Sequence, residues 1–256
     1  MKRKLLTHSI HEVSFMFTKL LENKIVIFIS IFSLIAIGLM IYPEIDIFIS
    51  SLFYHPSQRF WLEHSKVAVF TNTLVKYFIV MLVLGVGILQ AWLFRGKKTI
   101  LYLNVLYLTL TLIIGPAVTV NQLLKEHWGR ARPSQIEEFG GSKQFTPALI
   151  ISNNCMDNCS FASGHASMAF WITSLAFIAQ TTKMRRQLFI FGVMAGLAMG
   201  FMRIIMGRHF LSDIVFAGII VIAINYIIYK LFLKFNKFVP LNGIRLLSTQ
   251  EEKRDF

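Results

Sequence analysis

Three short polar clusters interrupt an otherwise apolar chain of 256 residues, and each carries groups that bind or transfer an anion. The first is Lys125-Glu126-His127-Trp128-Gly129-Arg130-Ala131-Arg132-Pro133. A helix there would set Lys125 and Arg132 two turns apart on one face, a point charge and a forked donor able to clamp one tetrahedral oxyanion. The second is Ser163-Gly164-His165, at the head of an apolar run. A helix N-terminus offers unpaired N–H groups and the positive end of the macrodipole, Ser163 offers a cap, and Gly164 lets a phosphate come close to the backbone. The third runs from Met202 to Asp213. Arg203 breaks an apolar helix near its end. His209 and Asp213 are spaced i, i+4, so that a carboxylate can hold one imidazole nitrogen and leave the other free to react.

Together these groups suit phosphoryl transfer. One histidine attacks phosphorus, the other protonates the leaving oxygen, and Lys125, Arg132 and Arg203 neutralise the equatorial oxygens as charge develops. No cluster of carboxylates suggests a metal, so the expected chemistry is metal-independent, without a cofactor. Cys155 and Cys159 lie in one loop, and the sequence leaves open whether they are bridged or two free thiols.

The elements that must position these clusters are membrane helices. Hydrophobic residues make up 55% of the chain and charged ones only 15%, well below the roughly one quarter usual for a soluble domain. The reading is an all-α, polytopic membrane protein with six apolar spans, at about 25–42, 74–94, 99–124, 164–180, 188–206 and 212–233. Gly115-Pro116 predicts a kink inside the third, and Gly192, Gly196 and Gly200 predict close helix packing in the fifth. Residues 1–24 read as a basic amphipathic helix on the membrane surface, 25–233 as the six-span core, and 234–256 as a tail. The net charge of +13 comes from clusters between apolar runs, which points to anionic lipid and an anionic substrate and not to nucleic acid. Most basic clusters fall on the side of both termini, and the positive-inside rule makes that side cytoplasmic. The polar segments 44–66, 125–160 and 206–212 then share the outer face. Trp61, Trp128 and Trp171 read as interface or core aromatics.

The three clusters resemble the three motifs of the type 2 phosphatidic acid phosphatase superfamily: lysine, six residues, Arg-Pro; Pro-Ser-Gly-His; and Ser-Arg, five residues, His, three residues, Asp. Here they read Lys125…Arg132-Pro133, Ala162-Ser163-Gly164-His165 and Met202-Arg203…His209…Asp213, with Ala162 in place of the proline and Met202 in place of the serine. The resemblance implies that His209 becomes a phosphohistidine and is oriented by Asp213, that His165 is the acid for the leaving group, and that Lys125, Arg132, Ser163, Gly164 and Arg203 bind the phosphate. His127-Trp128-Gly129-Arg130 and the Cys155…Cys159-Ser160-Phe161 approach are similar to those of bacterial lipid A phosphatases of the 4′ type. That implies a multi-pass protein of the bacterial inner membrane, its site facing the periplasm, acting on a membrane lipid phosphate. The 1-phosphate of lipid A, undecaprenyl diphosphate and phosphatidylglycerophosphate are competing substrates. A protein that binds or transports phosphate or phospholipid without hydrolysis is the reading from another class; it has no need for two histidines.

Overall fold

Pro43 lacks the N–H that would carry the first apolar helix onward, and the chain turns there by 96° between α1 (Ile25–Ile41) and α2 (Glu44–Ser51). In this computed structural model residues 25–63, 65–95 and 99–234 are described. The surface helix expected over 1–24, the tail after 234 and the basic residues Lys97 and Lys98 lie outside them. The bend turns Asp46 and Ser50 of α2 inward, where both are buried. A two-stranded antiparallel hairpin follows, Tyr54–His55 against Arg59–Phe60, within the segment expected to be interfacial.

The helix α3 spans Lys66–Arg95, longer than the apolar run suggests. Next, α4 (Thr99–Leu112) continues without a break through a π-helical stretch (Ile113–Leu124) into one last α turn, α5 (Lys125–His127). Pro116 lies inside the π stretch. A proline removes one i→i−4 bond and its ring collides with the carbonyl a turn earlier. Wider winding relieves that collision, so the expected kink is met by a change of helical pitch. Asn121 Nδ2 donates to the Pro116 carbonyl at 2.7 Å across the widened turn.

After the long loop come α6 (Gly164–Phe170), a 3₁₀ turn (Trp171–Ser174) and α7 (Leu175–Ile178), then α8 (Thr182–Ile205) and α9 (Leu211–Lys234). The helix starting at Gly164 stops at Ile178, about 22 Å long at 1.5 Å per residue and short of the ~30 Å bilayer core. Thr181 restarts the helix by accepting a bond from Met184 N at 3.2 Å, and Arg185 Nε donates to the Ala179 carbonyl at 2.9 Å. The basic residues 183–186 therefore begin α8 and do not form a separate loop. By length and composition, three helices among the described residues are long enough to cross a membrane: Leu101–His127, Thr182–Ile205 and Leu211–Lys234. The bent pair α1 and α2 makes a fourth if it is taken as one span.

The glycines of α8 do what their spacing predicts. A Cβ at Gly192 would stand 2.6 Å from Thr173 N, one at Gly196 would stand 2.3 Å from the Phe170 ring, and one at Gly200 would stand 2.4 Å from Ile214. Phe170, fully buried, fills the space between α8 and Gly218 of α9. A methyl group at 196 would have to move that ring, a strain of about 1–3 kcal/mol. Because lipid tails are as apolar as leucine, this close fit and a few buried polar links hold the bundle. Trp171 Nε1 bonds Thr111 at 3.0 Å and Asn225 Nδ2 bonds Thr173 at 3.0 Å. A smaller apolar cluster of Phe60, Ala131, Ile136, Phe139 and Phe210 joins the hairpin to the long loop.

Candidate active site

The site forms where α5, α6, α8 and α9 end or begin at one side of the bundle. The turn carrying His209 depends on Gly207, whose φ is +64° and whose hypothetical Cβ would stand 2.3 Å from the Phe60 ring. Only glycine meets both demands. His209 follows two residues later and is wholly buried. Its Nδ1 lies 2.8 Å from the carbonyl oxygen of Ser160, which can only accept, so Nδ1 carries the proton. In the neutral ring Nε2 then holds the lone pair. Nε2 is buried and has no hydrogen-bond partner among the described residues. Burial pushes the His209 imidazole well below its usual pKa, against the opposing pull of the Asp213 carboxylate. An unprotonated nitrogen held in one orientation is a nucleophile.

Asp213, in the first turn of α9, was expected to grip that ring directly. Instead its Oδ2 stands 3.6 Å from His209 Nδ1 and accepts from Ser160 Oγ at 2.6 Å and from Phe210 N at 2.8 Å. The link therefore runs through Ser160, whose hydroxyl binds the carboxylate while its carbonyl holds the imidazole. The other oxygen, Oδ1, accepts from Arg130 Nη1 at 2.6 Å.

Arg130 is the residue that motif spacing missed. It is 0% exposed, and all three of its nitrogens are engaged. Nε donates to the Thr146 carbonyl at 2.8 Å, Nη1 to Ser212 Oγ and Asp213, and Nη2 to Asp46 Oδ2 at 2.9 Å. Its guanidinium carbon lies 4.3 Å from the centre of the Phe210 ring. Asp46 in turn accepts from the backbone N–H and the hydroxyl of Ser212. An ionisable residue at the edge of a span was the available signal for Asp46.

Lys125, Arg203 and Ser163 are buried, and His165 and Arg132 are half-buried. Arg203, His209, Lys125 and Arg132 all lie close enough to His165 for electrostatic coupling, so the structure brings these groups of the three motifs together. It does so without the expected helical clamp. The helix ends at His127, Gly129 turns the chain at φ +67° against the Ser152 carbonyl, and Arg132 arrives in extended conformation. Arg132 Nη2 donates to the Asn158 carbonyl at 2.6 Å, inside the loop closed by a Cys155–Cys159 disulfide. Partial burial, and then neighbouring Arg208, lower the Arg132 pKa, while Asp157 opposes. Arg208 is a further cation that the sequence reading did not single out. Ser163 caps α6 through Ala166 N at 3.4 Å. Gly164 is small for a nearer reason than phosphate: a Cβ there would stand 2.3 Å from Asn121 Oδ1.

An uncharged imidazole nitrogen, a second imidazole and several cations around it can transfer a phosphoryl group, and the cations can equally hold a phosphate unreacted. Among the described residues no three His, Cys, Asp or Glu side chains are grouped as a metal site.

Comparison with known proteins narrows the choice. The sequence profile of the PAP2 superfamily matches residues 104–237. A lipid A 4′-phosphatase of Francisella tularensis subsp. novicida (strain U112) is 36% identical over 195 residues, covering 75% of this chain and 88% of that protein. A lipid A 4′-phosphatase of Rhizobium leguminosarum is 41% identical over 111 residues, covering 41% of this chain and 45% of its own length. No solved structure matches the chain.

Proposed function

The chain belongs to the PAP2 superfamily, and from that premise we propose that it removes the 4′-phosphate of lipid A at the periplasmic face of the bacterial inner membrane, through a phosphohistidine. That it is a phosphoric monoester hydrolase acting on a lipid follows from the family and the relatives. The observation that carries the mechanism is the buried Nε2 of His209, without a hydrogen-bond partner among the described residues, its ring fixed by the Ser160 carbonyl.

In the first step Nε2 bonds to phosphorus as the bond from phosphorus to the sugar oxygen breaks, and His165 gives that oxygen a proton. In the second, His165 takes a proton from water as the water oxygen attacks phosphorus and the N–P bond breaks, releasing inorganic phosphate. Lys125, Arg132 and Arg203 oppose the charge on the phosphoryl oxygens, and the N-terminal N–H of α6 at Gly164 adds to them, with the Ser163 hydroxyl beside it, while the Ser163 N–H donates to the Asp213 carbonyl. Asp213 holds Ser160 and so His209.

Six spans with both termini in the cytoplasm accommodate this reading. The helix from Gly164 would enter the bilayer only partway in its own right, and α3 would supply the second crossing. The basic start of α8 at Lys183, Arg185 and Arg186 supports a cytoplasmic placement opposite the site. The lipid preference rests on the Francisella relative, which this chain covers over most of its length.

The test is phosphate release by the purified protein in detergent. The panel is lipid A with only a 4′-phosphate, lipid A with only a 1-phosphate, undecaprenyl diphosphate and phosphatidylglycerophosphate, each beside His209→Ala. Release confined to the 4′ substrate, and lost by roughly 10⁴-fold or more in the variant, is expected. Preference for another lipid would replace the substrate and keep the mechanism. Turnover above a few percent in His209→Ala would reject the nucleophile, and no release from any of the four would favour binding or transport.

A further inference from the structure

Beneath His209 lies a cluster of three buried charges, Asp46, Arg130 and Asp213, and its net sign bears on the chemistry. Hydrogen-bond roles fix the protons. Ser212 Oγ accepts from Arg130 Nη1, and among the described residues its one acceptor is Asp46 Oδ2, so its own hydrogen goes there. Asp46 Oδ1 accepts from Ser212 N, and Oδ2 also accepts from Arg130 Nη2. Asp213 likewise meets only donors: Arg130, Ser160 Oγ and Phe210 N. Two carboxylates whose every partner is a donor are both ionised, and one guanidinium lies between them. The cluster carries one net negative charge.

Resting on the phosphohistidine reading above, we propose that Asp46 is a positioning residue that supplies the counter-charge for His209. Arg130 organises the floor of the site but would by itself cancel Asp213. Attack by Nε2 leaves the imidazole cationic, with Nδ1 still protonated, in a site already crowded with Lys125, Arg132 and Arg203. A floor of zero charge gives that cation nothing. Asp46, brought inward by the bend between α1 and α2, restores the negative sign, and the low dielectric of the interior makes one charge count. The bent helix pair far away in sequence is thus part of the active site.

Charge rescue tests this. Asp46→Asn keeps the shape and makes the floor neutral; kcat should fall about ten- to a hundredfold with KM within about twofold. Adding Arg130→Gln returns the floor to one negative charge on Asp213 alone. The double variant Asp46→Asn/Arg130→Gln should therefore turn over faster than Asp46→Asn. A merely structural role predicts the reverse, since each substitution removes hydrogen bonds and the losses accumulate. Turnover of the double variant equal to or below that of Asp46→Asn overturns the proposal, as does an unchanged kcat in folded Asp46→Asn. If Asp46→Asn does not yield folded protein, the double variant decides: kcat within about tenfold of wild type supports the proposal, and loss beyond a hundredfold in folded protein overturns it. Failure of the phosphohistidine reading is separately visible, as release that survives His209→Ala.

Discussion

Arg130 and Arg132 stand two residues apart, and the protein pairs them to opposite degrees. Arg130, on the floor of the site, is fully buried and uses all three nitrogens on Thr146, Ser212, Asp213 and Asp46. Arg132, at the rim, is half-buried, and among the described residues its guanidinium bonds only the Asn158 carbonyl. The same side chain therefore has two uses. An arginine that is fully buried, with four of its five N–H donors on two carboxylates, a carbonyl and a hydroxyl, is held in place by the protein and acts as a frame. One with donors to spare, in a neighbourhood of like charges, gains when an anion arrives. Degree of pairing, and not residue type, separates floor from rim.

Substitution at the rim should show this most strongly. Arg132→Ala is expected to lower kcat/KM by roughly 10²–10³-fold through loss of charge opposite the phosphoryl oxygens, with little change in thermal stability. Arg132→Lys should recover only part, because an ammonium cannot fork. Steady-state kinetics beside a melting curve checks both. A large fall in melting temperature with activity per folded molecule unchanged would make Arg132 a second frame and end the contrast.

The rim has its own support, and disturbing it should cost less. Asn158 lies between the bridged cysteines with φ +49°, a left-handed conformation that asparagine adopts more readily than other non-glycine residues. Its carbonyl is the one anchor of the Arg132 guanidinium among the described residues. Opening the bridge with Cys155→Ser and Cys159→Ser leaves the loop tied by Cys159 N to the Lys125 carbonyl and by Ser160 N to the Arg130 carbonyl. Only part of a charge-assisted bond worth roughly 1.5–3 kcal/mol is then lost. KM should rise about three- to tenfold with kcat within twofold. A matching loss of kcat would mean that the bridge serves the floor through Ser160.

Rim and floor also differ in how far the sequence reveals them. Lys125, Arg132, His165, Arg203, His209 and Asp213 could be named because local spacing carries their chemistry, and the structure gathers them. Their geometry could not be read, since the supposed helix from Lys125 to Arg132 breaks at Gly129. The floor is built from long-range bonds: Arg130 reaches Asp46 across 84 positions and Ser212 reaches it across 166. No periodicity reports such contacts. The same holds for Ser160, whose carbonyl takes the place expected for Asp213 at His209 Nδ1 across 49 positions. In the helices, apolar runs located the long helices Leu101–His127, Thr182–Ile205 and Leu211–Lys234. Composition was blind to the early stop at Ile178 and to the π winding around Pro116, because both are settled by backbone bonds and not by hydropathy. Whether the cysteines were bridged depended on loop geometry that a spacing of four leaves open.

The smallest effect expected is no effect, at the floor. A free histidine with a pKa near 6.5 is about 90% protonated at pH 5.5. Burial holds His209 below that value, so in the folded protein it should stay neutral there, with the proton on Nδ1. The sign for stability follows. Below about pH 6.5 the unfolded chain takes a proton that the folded site refuses, so acidification disfavours folding, and this contribution is fully present only above that pH. Nitrogen NMR of histidine-labelled protein checks the state directly, the signal being assigned by its loss in His209→Ala. An Nε2 resonance of the unprotonated kind, unmoved between pH 7.5 and 5.5, is expected. A doubly protonated ring at pH 5.5 would mean that the negative floor outweighs burial. His209 would then need to lose a proton before it could attack, and the floor would set the acid limit of the enzyme as well as the orientation of the ring.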